Sequence, residues 1–243
     1  MGYISERKGG VNQLANFFTI LSLLCGFVSV IFSLESHFTF AAWAIILSVI
    51  FDGLDGQIAR INPTPSEFGK ELDSLVDVVA FGIAPAVLGY IFVYRHFYLG
   101  ATVGLFTYLF CSVMRLAKYN ITPKEQMANY FYGLPTTVSG GILASFILMY
   151  RKKLNVLLPH FVPVIFLFIV LLLSFLMVSR VRYLNLDGLR QLLGKKMKLT
   201  VTALVIALII AAFFRKVGIS VFVLFLIYLL FSPFAVERIS HRS

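Results

Sequence analysis

Negative charge is scarce in this sequence. Eleven of the 243 residues are Asp or Glu, and all charged types together reach 13%. A soluble domain carries about twice that share to keep its surface hydrated, so a soluble enzyme or carrier is excluded. Cysteine is nearly missing as well. Cys25 and Cys111 stand alone inside apolar runs, which rules out a disulfide framework and a cysteine-rich zinc site. The four histidines, His37, His96, His160 and His241, share no ligand spacing. The net charge of +10 comes without the soluble basic face that nucleic-acid binding requires, so no nucleic-acid partner is expected.

What the chain has instead is apolar bulk: 59% hydrophobic residues, 25 Phe and 11 Tyr, with a mean hydropathy of +0.90. Apolar runs near the bilayer-spanning length of about 17–25 residues recur from end to end. A membrane barrel would show short alternating segments, so the fold class is all-α and polytopic. Eight spans are expected: Leu14–Leu34, Phe38–Phe51, Asp73–Tyr94, Leu99–Leu116, Leu134–Tyr150, Val156–Ser179, Leu199–Phe214 and Val217–Phe234. The second helix is expected to run on through Arg60, until Asn62-Pro63-Thr64-Pro65 forces a turn. The first span has no small-residue cleavage site behind it and is expected to be retained. The whole chain, residues 1–243, reads as a single membrane domain.

Lysine and arginine set the orientation. Fifteen of the 21 fall in the termini and connections on one side, six on the other. The rule that basic loops stay inside puts both termini, and the connection after the second span, on the cytoplasmic face of the cytoplasmic membrane. Basic loops there meet anionic headgroups of the bilayer.

Six of the eleven acids crowd into that one connection and its flanks, Phe51–Asp77: Asp52, Asp55, Glu67, Glu71, Asp73 and Asp77. Asp52 and Asp55 are three apart, Asp73 and Asp77 four apart, so on helices each pair shares a face. Two such helices joined by a short turn bring four carboxylates together. One aspartate at a span end is usually a solvated cap. Four at these spacings repel strongly beside a low-dielectric core unless divalent cations join them. Oxygen-only donors suit Mg²⁺ or Mn²⁺ rather than zinc. Gly56 and Gly69 allow a ligand close to the backbone, Ala59 keeps the face low, Ser66 offers a hydroxyl, and Arg60 offers a fork for phosphate. Together these describe a pyrophosphate site.

The pattern Asp52-x-x-Asp55-Gly56-x-x-Ala59-Arg60, eight residues, then Gly69-x-x-x-Asp73-x-x-x-Asp77 resembles the signature of the CDP-alcohol phosphatidyltransferase family. The resemblance implies a six-helix catalytic core, here about residues 11–180, with two additional helices at about 199–234, and a homodimer. It implies transfer from a CDP-linked lipid to an alcohol with release of CMP, assisted by two divalent metal ions, Mg²⁺ or Mn²⁺. Under it Asp52 and Asp73 bridge both metals, Asp55 binds one, and Asp77 touches one while taking the alcohol's proton. Gly56, Ala59, Arg60, Ser66 and Gly69 would hold the CDP-lipid, joined by Asn16 and Thr19 of the first span, whose "NFFT" is similar to the family's Asn-x-x-Thr.

Three further stretches, "AFGIAPA" (80–86), "RLAKYN" (115–120) and "FYGLPTT" (131–137), resemble the branch of the family that transfers the phosphatidyl group of CDP-diacylglycerol to L-serine. Arg115 and Lys118, three apart, could present two cations to a carboxylate, and Asn120 adds an amide. Other acceptors remain open within the family: glycerol 3-phosphate, inositol phosphate, choline, or serine with an archaeal ether-lipid donor. A divalent-cation transporter is the rival from a different class, but it leaves Gly56, Ala59, Arg60 and Gly69 without a role. Gly140-Gly141 are expected to allow close helix packing, and Pro85 and Pro135 to kink their helices.

Overall fold

The structure, a computed structural model, describes residues 2–61, 67–122, 130–150, 161–184 and 217–240. The chain runs α1 (Gly2–Leu34), α2 (Phe38–Ile61), α3 (Glu67–Asp77), a π turn (Val78–Ile83), α4 (Ala84–Val93) and α5 (Tyr98–Ile121). Then follow β1 (Tyr130–Tyr132), α6 (Thr136–Met149), α7 (Val162–Val178), β2 (Arg182–Leu184) and α8 (Val217–Ser240). Four helical stretches are long and apolar enough to cross a membrane: Gln13–Leu34, Phe38–Ile58, Glu67–Val93 and Tyr98–Ile121. Shorter apolar helices cover Thr136–Met149, Val162–Val178 and Gly218–Phe234. This is a helical membrane protein. The expected seventh span, Leu199–Phe214, lies outside the described residues.

The first helix is sorted by size rather than by polarity. On α1 the buried positions Ala15, Thr19, Ser22, Gly26, Ser29 and Ser33 recur at spacings of four and three, so they form one narrow stripe. Leu14, Phe17, Ile20, Leu24, Phe27 and Ile31 point outward. Lipid is as apolar as leucine, so burial brings no hydrophobic gain here; on α1 the small residues turn inward because they let backbones approach and hydroxyls pair. Ser22 and Ser48 lock α1 to α2 in this way, with their hydroxyl oxygens 2.7 Å apart and Ser48 donating to the Ser22 carbonyl at 3.1 Å. At Gly26 a Cβ would sit 2.8 Å from the Cα of Ala80, so the glycine is what lets α1 lie against the π turn.

The core joins α2, α4, α5, α6 and α7 around Ile45, Leu88, Tyr108, Leu143 and Phe166. The expected role of Gly140 and Gly141 is met. A Cβ on Gly140 would lie 3.2 Å from Pro85, and one on Gly141 would strike the ring of Phe225 on α8.

Three details differ from the sequence reading. The third helix begins at Glu67, six residues before the apolar run. Two short strands break the all-α pattern, β1 and β2 pairing antiparallel with Phe131 opposite Tyr183. Pro135 does not kink a helix; it has extended ψ and stands just before α6, while Pro85 sits in the first turn of α4. Proline lacks the N–H that a helix start leaves unused, so Pro135 is tolerated before α6, whereas Pro85 lies within the continuous helical stretch Glu67–Val93 and removes a donor there.

Candidate active site

The inward face of α2 decides where the first two carboxylates go. Ala41, Ile45 and Ser48 are fully buried, and the same alternation of four and three continues to Asp52 and Asp55. The helix thus carries its packing face out of the apolar region and ends it in two aspartates. Asp55 is only 5% exposed, and Asp52 is half-buried. From α3, Asp73 and Asp77 present the second pair, one turn apart.

One carboxylate oxygen each from Asp52, Asp55 and Asp73 lie within 4.8 Å of one another. Asp77 is not part of that trio; its carboxyl meets that of Asp52 within hydrogen-bonding reach. Thr19 of α1 lies against Asp55 and also donates to the Ala15 carbonyl at 3.1 Å. Oδ2 of Asp55 and Oδ1 of Asp77 are buried without a hydrogen-bond donor. Among the described residues the single carboxylate–cation pair within 4 Å is Glu35–His37, in the turn between α1 and α2. Carboxylates this close and unpaired could hold a positive ion, and an all-oxygen set fits a hard divalent one.

Space for a ligand adjoins the trio. A Cβ at Gly53 or Gly56 would meet no atom within 4 Å, unlike the packed glycines of the core. Asn16 is half-buried one turn before Thr19, and Gly69 is half-buried on α3. Ser66 and the side chains of Ala59 and Arg60 lie outside the described residues.

The three expected acceptor residues separate. Arg115, two turns from Tyr108 on the inner face of α5, is the cation whose charge reaches both Asp77 and Asp52. Its Nη1 donates to Thr136 Oγ1 at 3.0 Å, its guanidinium lies 5.9 Å from the centre of the Tyr119 ring, and its buried Nε has no acceptor. Asn120 is instead held by Ser74 of α3, with Nδ2 donating to Ser74 Oγ at 2.9 Å. Lys118 is exposed. The structure therefore brings Arg115 to the carboxylates, uses Asn120 to tie α5 to α3, and leaves Lys118 at the surface.

Thr136 escaped the sequence reading, although it lies in "FYGLPTT". That stretch folds as a strand, a turn and a helix start. Gly133 has φ of 77°, and a Cβ there would collide with the Met177 carbonyl, so glycine is required. The Gly133 N–H donates to Val181 and that of Leu134 to Leu176, which aims the start of α6, and Thr136 with it, at Arg115.

Comparison with known proteins identifies the family. Residues 12–164 match the CDP-alcohol phosphatidyltransferase family. The CDP-diacylglycerol–serine O-phosphatidyltransferase of Helicobacter pylori strain 26695 is 34% identical over 220 residues, covering 88% of this chain and 87% of that protein. The protein of the same name from Mycobacterium tuberculosis strain H37Rv is 39% identical over 142 residues, 54% of this chain and 49% of that one. The archaetidylserine synthase of Methanothermobacter thermautotrophicus is 31% identical over 179 residues, 72% and 71% of the two chains.

Proposed function

Because this chain belongs to the CDP-alcohol phosphatidyltransferase family, we propose that it transfers the phosphatidyl group of CDP-diacylglycerol to L-serine, giving phosphatidylserine and CMP. Serine is common to the names of the bacterial and archaeal relatives, whereas the lipid named changes. The acceptor is thus the better supported half of the reading. The observation that carries it within this chain is Arg115, a guanidinium beside the carboxylates with a buried Nε–H and no acceptor for it. Serine laying its carboxylate on that fork satisfies the donor, and choline, which carries no anionic group, does not.

Asp52, Asp55 and Asp73 are the residues that would hold divalent metal, two ions of Mg²⁺ or Mn²⁺ in this reading, with Asp77 touching one. Bound there, the ions neutralise the pyrophosphate and the charge that develops on departing CMP. The open side of α2 at Gly56 admits the diphosphate, with Ala59, Gly69 and Asn16 around it and Arg60 and Ser66 as further contacts. Thr19 steadies Asp55. Arg115, held by Thr136, orients serine so that its hydroxyl faces the lipid-linked phosphorus. Asp77 accepts the hydroxyl proton as the serine oxygen bonds to phosphorus and the P–O bond to CMP breaks. Asn120 and Lys118 line the approach. In this reading the six-helix core ends near residue 180, the last two helices are additions, the site opens to the cytoplasm, and the enzyme works as a homodimer.

The deciding experiment supplies purified enzyme with CDP-diacylglycerol, Mg²⁺ or Mn²⁺, and one alcohol at a time. CMP should be released with L-serine and not with glycerol 3-phosphate, inositol phosphate or choline. Release with another alcohol and not with serine overturns the acceptor. An ether-linked CDP-lipid in a parallel arm decides the donor.

A further inference from the structure

The helix that delivers Asp73 and Asp77 does not continue as an α-helix. Directly after Asp77 the chain makes a π turn, with the Ala84 N–H reaching back five residues to the Val79 carbonyl. A π turn holds one residue more than an α turn, so the carboxylate face of α3 is rotated by about 100° against α4 relative to an unbroken helix. Such a turn is intrinsically unfavourable, and here it carries a second defect. Pro85 has no N–H, so it serves neither the Phe81 carbonyl four residues back nor the Ala80 carbonyl five residues back.

The Phe81 carbonyl is nevertheless satisfied. Tyr108 of α5, fully buried, donates its hydroxyl to the Phe81 oxygen at 2.9 Å. The same phenol oxygen lies 3.0 Å from Ser139 Oγ on α6, and Ser139 Oγ lies 2.8 Å from the Thr136 carbonyl. Thr136 in turn accepts from Arg115. One buried hydroxyl of α5 therefore ties down the segment that begins at Asp77, beside Ser139 of α6.

We propose that Tyr108 is a positioning residue for the transfer reaction: its phenol replaces the backbone hydrogen bond that Pro85 removes, and so holds the π turn that aims Asp77 at the acceptor hydroxyl. The proposal rests on the reading of Asp77 as proton acceptor. Tyr108 is fully buried, so it acts on turnover through geometry rather than by contact.

The test is Tyr108→Phe, which keeps the ring and deletes the donor. Its kcat should fall by about 10–100-fold while both KM values stay within about threefold, the pattern of a misplaced group rather than a lost contact. Amide exchange in the peptide covering 78–86 should quicken, since the π turn loses its external tie. Adding Pro85→Ala returns an N–H to the segment and should recover most of the lost kcat. A Tyr108→Phe enzyme with wild-type kcat overturns the proposal, as does a loss that Pro85→Ala fails to relieve. Should the single variant not accumulate, the double variant carries the test, and its failure to accumulate or turn over also overturns it. Asp77→Asn run in parallel separates the two readings: normal turnover there removes Asp77 as base, whereas an inactive Asp77→Asn beside a normal Tyr108→Phe removes only the role of Tyr108.

Discussion

Arg115 stands between two demands. It must stay charged in a partly dry site, yet the nearby carboxylates are committed to metal in the proposed mechanism. Thr136 takes one of its donors and Tyr119 faces its plane, but Nε remains free. That arrangement suits an arriving carboxylate, which would pair with a fork already held in place. Arg115→Ala should raise the serine KM by an amount equivalent to about 2–5 kcal/mol and leave the KM of the CDP-lipid nearly unchanged. Arg115→Lys keeps the charge and loses the fork, so it should fall between the two. Saturation curves for each substrate check this; a variant that weakens the CDP-lipid and spares serine would reverse the assignment. The inward placement of Arg115 was readable in the sequence because arginine is costly inside a span. Its partner Thr136 was not, since a threonine after a proline looks like any helix start.

At the scale of elements, glycine placement shows which helix contacts bear on the site. A Cβ on Gly26 would press into the backbone of Ala80 in the π turn, where nothing can rotate away. Gly100 on α5 is different, because its Cβ would lie 3.4 Å from the flexible tip of Leu167. Gly26→Ala should therefore cost about 1–3 kcal/mol of stability by overpacking. It should also slow turnover, because the displaced segment begins at Asp77. Gly100→Ala should be nearly neutral in both. Thermal unfolding in detergent, alongside CMP release, checks the pair; equal behaviour of the two variants would mean that α1 does not brace the π turn. Long apolar helices were legible from the length of the apolar runs, and the end of α2 from the two prolines after it. The π turn was not, because "AFGIAPA" has the composition of an ordinary membrane helix and the extra residue shows only in the hydrogen-bond register.

For the whole molecule, the carboxylate cluster is the main electrostatic liability. Three carboxylate oxygens share a space of 4.8 Å, a fourth carboxyl abuts them, and no described cation pairs with any of the four within 4 Å. Chelation should abolish CMP release, and Mg²⁺ or Mn²⁺ should restore it. The same treatment should lower the midpoint of thermal unfolding, because the emptied cluster leaves like charges facing one another beside a low-dielectric core. Undiminished CMP release in excess chelator would remove the metal from the mechanism.

Sequence alone determined the class of this protein, the direction of its charge asymmetry and the pairing of its aspartates. Each of those follows from local regularities: the length of apolar runs, the bias of basic loops, and the 3.6-residue turn that places residues three or four apart on one face. Only the tertiary structure decided which partners meet across distance. It set Asp52, Asp55 and Asp73 together and Asp77 to one side. It gave Asn120 to Ser74, Arg115 to Thr136, and Tyr108 to a carbonyl 27 residues away. The reason is physical. In a bilayer the inside and outside of a helix are equally apolar, so hydropathy does not mark the packing face. The small-residue stripe of α1 and the hydroxyls that pair across the bundle acquire meaning only once neighbouring helices are in contact.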